Sequence, residues 1–347
     1  MTAITHPPAA PAASRRPGDS RGAAIALRLR RLLVAIGRIL TSLIPVFLLG
    51  SLFTYALGAV SGLTPAYLQL GEGATPAAVK ALDQQWGLNR PFFVQYFSWL
   101  GHVLTGNFGN SWINNFPVTQ LLGNRAIISV SAAGVALLLG IIFGFGLGAL
   151  AVRFQSTWVD RVITVFTSTI SVMPPFIVGI LLIDIFAVSL HWLPSSGFSP
   201  LSAGFGGWLS HIILPALALS FDTIADVARQ LRVGLVSASR QNYVTGAVVR
   251  GLSGRRVFFV HTLRNGIGPA LAVLGLKFPN LLGGAVVTEA IFQLSGYGQF
   301  AAQSAIKGDV PSVQAVLVVS VLLVVLFNLL VNVILARLIP SSASRGL

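Results

Sequence analysis

Four acids fall inside otherwise apolar stretches of the chain: Asp184, Asp222, Asp226 and Glu289. Asp222 and Asp226 stand four residues apart, the spacing that brings two side chains onto one face of a helix. Carboxylates held in apolar surroundings usually face a bundle interior or a cavity. The four are therefore candidates for lining a path, where they would attract an amino terminus or another cationic group. In the alternative, Asp226 pairs with Arg229 or Arg232, Glu289 sits at an outer rim, and Lys277 snorkels towards water.

A second concentration of charge is "RGLSGRRVFFVHTLRNGIGP", Arg250 to Pro269, which carries arginines and one histidine, no acid and four glycines. Just before it, Tyr243, Val244, Ala247 and Val248 recur at helical spacing. Gly251 suits a left-handed cap, and Ser253 is placed to cap a second short helix starting near Arg255. Leu252, Val257, Phe258 and Val260 add apolar area. A helix, a glycine turn and another helix form a shape that docks into a partner's groove or lies on a membrane surface.

Other chemistry lacks its residues. There is no cysteine, and so no disulfide, thiolate metal site or cysteine nucleophile. The histidines His102, His191, His211 and His261 have no metal-ligand spacing, so no metal site is expected. No Gly-Lys pair occurs anywhere, so a phosphate-binding loop cannot be matched. No nucleophile–base motif is present either, and no catalytic residue is expected.

The elements that must carry these residues follow from composition. Of 347 residues 54% are hydrophobic and 9% charged, with mean hydropathy +0.80. A soluble domain carries about 25% charged residues. The net charge of +14 would suit nucleic acid only on a solvated basic face, for which this chain has little room. A bilayer span needs about 20 mostly apolar residues. Runs near 32–60, 127–151, 162–190, 211–234, 269–292 and 312–339 qualify, about six helices in an all-α integral membrane protein. They are continuous rather than alternating, which excludes a barrel.

Orientation follows from the basic residues. If both termini, the 152–161 turn and the 235–268 loop share one side, that side collects eighteen arginines and the other only Lys80, Arg90, Arg125 and Lys307. Both termini, and the basic loop, are therefore expected in the cytoplasm of a multi-pass protein of the cell membrane. The organisation reads as a disordered tail (1–30), a first span (31–60), an extracytoplasmic region (61–123), five further helices (124–339) with a loop at 237–266, and a short tail (340–347). The tail at 1–30 does not read as a signal peptide.

Gly140, Gly144 and Gly148 form a small-residue strip suited to close helix contact. Met173-Pro174-Pro175 should kink the third span. Outside, Thr75-Pro76 should start a helix bearing Val79, Leu82 and Trp86. "RPFFVQYFSWLGHVL" follows as an aromatic amphipathic helix suited to the headgroup level.

Gly251 with "HTLRN" (261–265) and Pro269 resembles the cytoplasmic coupling loop of ABC importer permeases, and most closely the B-type subunit of the dipeptide/oligopeptide/nickel group. "GLNRPFFVQYFSWLGHVLTGNFGNSW" (87–112), "HWLPSSGF" (191–198), "HIILPALALS" (211–220) and "LGGAVVTEAIFQLSGYG" (282–298) resemble the same group in order. Departures are "GLTPAYLQLG" (62–71) where a Pro-Gly-Asp-Pro turn is usual, Ser295 for a proline, and Ser237, Asn242, Thr245 and Val248 for charged loop residues.

The resemblance implies type I importer architecture and transport of di- or oligopeptides, with nickel or another small solute as the alternative cargo. It implies three kinds of partner besides the bilayer: a second permease subunit, two cytoplasmic ATPase subunits or domains that hold ATP and magnesium, and an extracytoplasmic substrate-binding protein. No cofactor is expected on this chain. Tyr243, Ala247, Arg250, Gly251, Leu252, Arg255, Phe258, His261 and Arg264 would meet the ATPase, while 59–125, 193–210 and 293–311 would receive the binding protein. A stand-alone secondary transporter using the four acids as proton or cation sites is the competing reading.

Overall fold

The computed structural model describes residues 37, 41, 43–60 and 65–338. Expectations for 1–30 and 340–347 lie outside these residues. The chain divides into two units, 1–49 and 50–347. Of the first, residues 43–49 are the start of a helix, Leu43–Val60 (α1), whose remainder belongs to the second. No strand occurs among the described residues.

After α1 come Pro65–Leu70 (α2), Pro76–Trp86 (α3) and Phe92–Leu104 (α4). The hydroxyl of Thr75 accepts from Ala78 N at 3.2 Å, and Pro76 occupies the first turn, where its missing N–H leaves no gap. Gly87, at φ 73°, ends α3 in the left-handed region. α4 buries Tyr96, whose hydroxyl lies 2.9 Å from that of Ser51, and exposes Phe93, Phe97 and Leu104 on its other side.

The long elements follow: Val118–Arg153 (α5), Trp158–Val172 (α6), Pro175–Leu182 (α7, prolonged as a wider π-type turn to Ser189) and Phe205–Ser239 (α8). α6 and α7 meet at 102°. Two prolines remove consecutive backbone donors there, and Met173, before Pro174, is driven to an extended ψ of 121°. α8 leads into Asn242–Val249 (α9), Gly254–Arg256 (α10), a π-type turn Val257–Leu263, and Arg264–Gly266 (α11). Gly268–Ile291 (α12), Tyr297–Ile306 (α13) and Val310–Leu338 (α14) complete the chain. Five helices are long and apolar enough to cross a membrane, or six if the bent α6–α7 pair counts as one span.

α8 is the hub, with 67% of its most apolar window buried against 11–44% in the other four long helices. α5 packs along it more extensively than any other pair, and α6, α7 and α12 also lie against it. The glycine strip is the α5 side of that contact. A Cβ on Gly144 would lie 2.7 Å from Val227 Cβ, one on Gly148 would lie 2.8 Å from Ala228 O, and one on Gly140 would run into Thr223. Lipid tails supply no hydrophobic drive between helices, so this close approach is the source of their attraction.

Helix ends depart from the hydropathy reading. α5 begins at Val118 rather than 127, and α8 covers 205–239 rather than 211–234. The added turns carry Asn124 and Arg125 in one case and Ser237 and Ser239 in the other, which lower hydropathy without breaking a helix.

Candidate functional site

The loop between α8 and α12 is built as two short helical arms around a glycine. Gly251 takes φ 77° and donates its N–H to Val248 O at 2.9 Å, which closes α9. The expected single apolar face of α9 is in fact divided. Val244 and Ala247 are buried against Val257 and Leu252, whereas Tyr243 and Val248 are exposed. Arg250, Arg255 and Arg264 are exposed, and His261 is half-buried. Phe258 differs from expectation: it packs inward against the cluster of Val227, Leu231 and Leu274, and its neighbour Phe259 is the exposed ring. Neighbouring residues on a helical turn point roughly 90–100° apart, so only one of these two rings can face α8. Ser253 precedes α10 but makes no side-chain cap bond there.

This loop is seated directly on α8. A Cβ on Gly266 would stand 2.9 Å from both Gly234 O and Leu235 Cα, and a Cβ on Gly234 would collide with Gly266 O. The two backbones touch with no side chain between them.

Higher on α8 lies an ion network. The Lys277 ammonium, on α12 and 9% exposed, reaches Asp222 Oδ2 at 2.5 Å and also bonds Asp226. Asp226 in turn pairs with Arg229. Lys277 therefore does not snorkel; two carboxylates one helical turn apart hold it inside. Asp222 keeps 43% of its side chain exposed and Asp226 21%. Arg232 is taken by a partner that sequence reasoning missed, Asp160 at the start of α6, through paired bonds of 2.7 Å from Nε and Nη2. The fork-on-fork geometry is the strong form of this pair. Its only trace in the sequence is an acid two residues after Trp158 in an otherwise basic turn.

Asp184 lies on the exposed side of the π-type turn beyond α7. Glu289 departs from the expected path. It is 1% exposed and accepts from Ser129 Oγ of α5 and from Gln299 N at 2.8 Å. Its carboxylate thus sits at the first turn of α13, where unpaired backbone donors and the helix dipole favour an anion. Tyr297 N donates to Ser129 Oγ at 2.7 Å, and the Tyr297 hydroxyl donates to Val316 O. Burial pushes that hydroxyl up to about 12, so it remains a donor at neutral pH. Asp309, also missed, is buried and accepts from Ser111 Oγ at 2.6 Å, Trp112 N at 3.0 Å and Ser312 Oγ at 2.7 Å.

Glu289→Ala is expected to lower stability by about 3 kcal/mol, since it strands buried donors on α5 and α13. Glu289→Gln, which retains an acceptor oxygen, should lose about half as much. Thermal unfolding of the purified protein in detergent measures both.

The family described as "Binding-protein-dependent transport system inner membrane component" matches residues 136–343, and its N-terminal companion matches 30–133. The chain is 34% identical over 299 residues to a protein of Sinorhizobium fredii described as probable peptide ABC transporter permease protein y4tP; the match covers 86% of this chain and 96% of that one. It is 32% identical over 302 residues to the glutathione transport system permease protein GsiC of Salmonella choleraesuis, covering 87% and 96%. A chain of the MetNI methionine ABC transporter in an inward facing conformation shares the fold, with TM-score 0.53 at 16% identity over 64% of this chain and 98% of that one.

The molecule is thus a multi-pass membrane permease with the architecture of a type I ABC importer. It belongs to the family of binding-protein-dependent transport system inner membrane components, among the permeases of the peptide type.

Proposed function

We propose that this permease is one half of a heterodimeric channel that imports di- or oligopeptides. A second permease completes the path, two cytoplasmic ATPase subunits supply the force from magnesium-bound ATP, and an extracytoplasmic binding protein delivers the solute. The chain itself makes and breaks no bond. Both termini and the α8–α12 loop lie in the cytoplasm, as the arginine distribution favours.

The observation that carries this reading is the seating of the loop. Tyr243, Val248 and Phe259 offer exposed apolar area for a partner, and Arg250, Arg255 and Arg264 are exposed on the same loop, where they would steer the approach. The backbone contact at Gly234 and Gly266 passes any displacement of the loop into α8 without slack. From there the ion pairs at Lys277 and Arg232 carry it to α12 and α6. Peptide cargo is supported by the names of the relatives, one a peptide and one a glutathione permease. Asp184 and Asp222, whose carboxylates remain accessible, suit the amino terminus of a passing peptide, with Asp226 behind Asp222.

In the reconstituted importer, Tyr243→Ala is expected to reduce solute-stimulated ATP hydrolysis about tenfold, in line with loss of an aromatic anchor. Gly251→Pro, which cannot take positive φ, should abolish the stimulation. Unchanged stimulation in both variants would remove the coupling role from this loop.

A further inference from the structure

Two cavities adjoin at the ends of α1 and α14, on the side of α3 and α4. One, of about 510 Å³, is walled by the rings of Trp86, Trp99 and Trp112 and rimmed by Arg90, His102 and several side-chain amides. The other, of about 430 Å³, is apolar and lined by Leu57 and Val60 of α1, Ala305 of α13 and Val313 of α14. Val310 lines both, and the neighbours Thr54 and Tyr55 line one each.

The polar cavity is built for a negative group. No Asp or Glu lines it. Arg90 has no ion pair among the described residues, and its guanidinium stem folds over Gly87, with Nε 3.5 Å from where a Cβ would stand. The left-handed turn at Gly87, closed by Arg90 N donating to Gly87 O at 3.2 Å, places the arginine at the cavity rim. His102 Nδ1 lies 2.7 Å from Ser98 O and donates to it, so Nε2 of the neutral ring is an acceptor and the anion's charge contact here is Arg90. Trp86 and Trp112 stack at 5.3 Å and 13°, so the wall is a rigid aromatic face.

The second cavity decides what kind of anion. A small carboxylate or phosphate has no use for a hydrocarbon groove, whereas an anion joined to an acyl chain uses both. The position also suits a lipid. The helix that supplies His102 and Trp99 to the polar cavity, α4, exposes Phe93, Phe97 and Leu104, an apolar side fitted to the membrane interface.

We propose that the paired cavity holds one anionic phospholipid, with its phosphodiester at Arg90 and an acyl chain in the groove of Leu57, Ala305 and Val313. The site is independent of the solute carried. A lipid there would brace α1 against α14 beside the bonds that Gln314 Nε2 already makes to Ser51 O and Thr54 Oγ1, both 2.9 Å.

The test uses the intact importer in liposomes doped with a photoactivatable phosphatidylglycerol bearing a diazirine on its acyl chain. Adducts mapped by peptide mass spectrometry are expected on residues 57–60 and 305–313. Arg90→Gln should lower labelling there about tenfold, Arg90→Lys should restore most of it, and Ala305→Trp should abolish it by filling the groove. Size-exclusion profile and melting temperature serve as the folding control. Four results would each overturn the proposal: equal labelling by the phosphatidylcholine probe; no effect of Arg90→Gln in a normally folded complex; full competition by sn-glycerol 3-phosphate, which would make this a site for free phosphate esters; or displacement of the label by excess binding protein, which would make it a protein-docking face.

Discussion

Lys277→Met is expected to destabilise the permease by about 3 kcal/mol, near the lower end for removing one partner of a buried ion pair. The lower end applies because Asp222 and Asp226 retain 43% and 21% side-chain exposure. Methionine fills the volume of the lysine stem, so packing changes little, and the loss comes from two carboxylates that face each other without a cation between them. Asp226 still has Arg229, but Asp222 is left with no partner. Adding Asp222→Asn removes that stranded charge and should recover more than half of the stability. The double variant should nevertheless import peptides poorly, because one of the two accessible carboxylates, Asp222, is gone. Thermal unfolding of the four members of the cycle, together with uptake into vesicles, separates the two effects. If the single-variant losses simply add, the network holds nothing together.

Gly266→Val should weaken coupling at the seat of the loop itself. Gly266 and Gly234 both lie outside the positive-φ region, so the substitution acts through space alone. The new Cβ would stand 2.9 Å from Gly234 O and Leu235 Cα, and neither backbone atom can rotate away as a side chain would. Relief requires lifting the loop off α8 by about an ångström, at about 1–3 kcal/mol for an overpacked contact. Solute-driven ATP hydrolysis is expected to fall at least about tenfold, since misplacement on that scale is enough to break a positioned contact. Gly134→Ala in α5, with nothing within 4 Å of its Cβ, provides the matched control and should behave as the parent. Normal stimulation in Gly266→Val would mean that loop displacement reaches the helices by another route.

Much of the loop was legible because its signals are local. Gly251 ends α9 with the positive φ that its position called for, and the double proline at 174–175 breaks the third span at 102°. These outcomes depend on one or two residues and the backbone they constrain. The division of α9 into an inner side at Val244 and Ala247 and an outer side at Tyr243 and Val248 was not legible, since all four fit one apolar stripe until Val257 arrives to select two of them. Phe258 and Phe259 are adjacent and chemically identical; only the packing of the turn against Val227, Leu231 and Leu274 decides which one faces inward.

What the chain's order of residues determined by itself was the membrane, the five or six crossings and the place of the basic loop between α8 and α12. Long apolar runs have no other stable environment, and the glycines and prolines act on their own backbone. The fate of the charges belonged to the tertiary structure. Lys277 and Asp222 are 55 positions apart, Arg232 and Asp160 are 72 apart, and Asp309 and Ser111 are 198 apart. A charge at membrane depth must find a partner, but any opposite charge satisfies that demand on paper. Which one it meets depends on the rotation and depth of each helix, and these are set by packing along α8, against which α5, α6, α7 and α12 all lie.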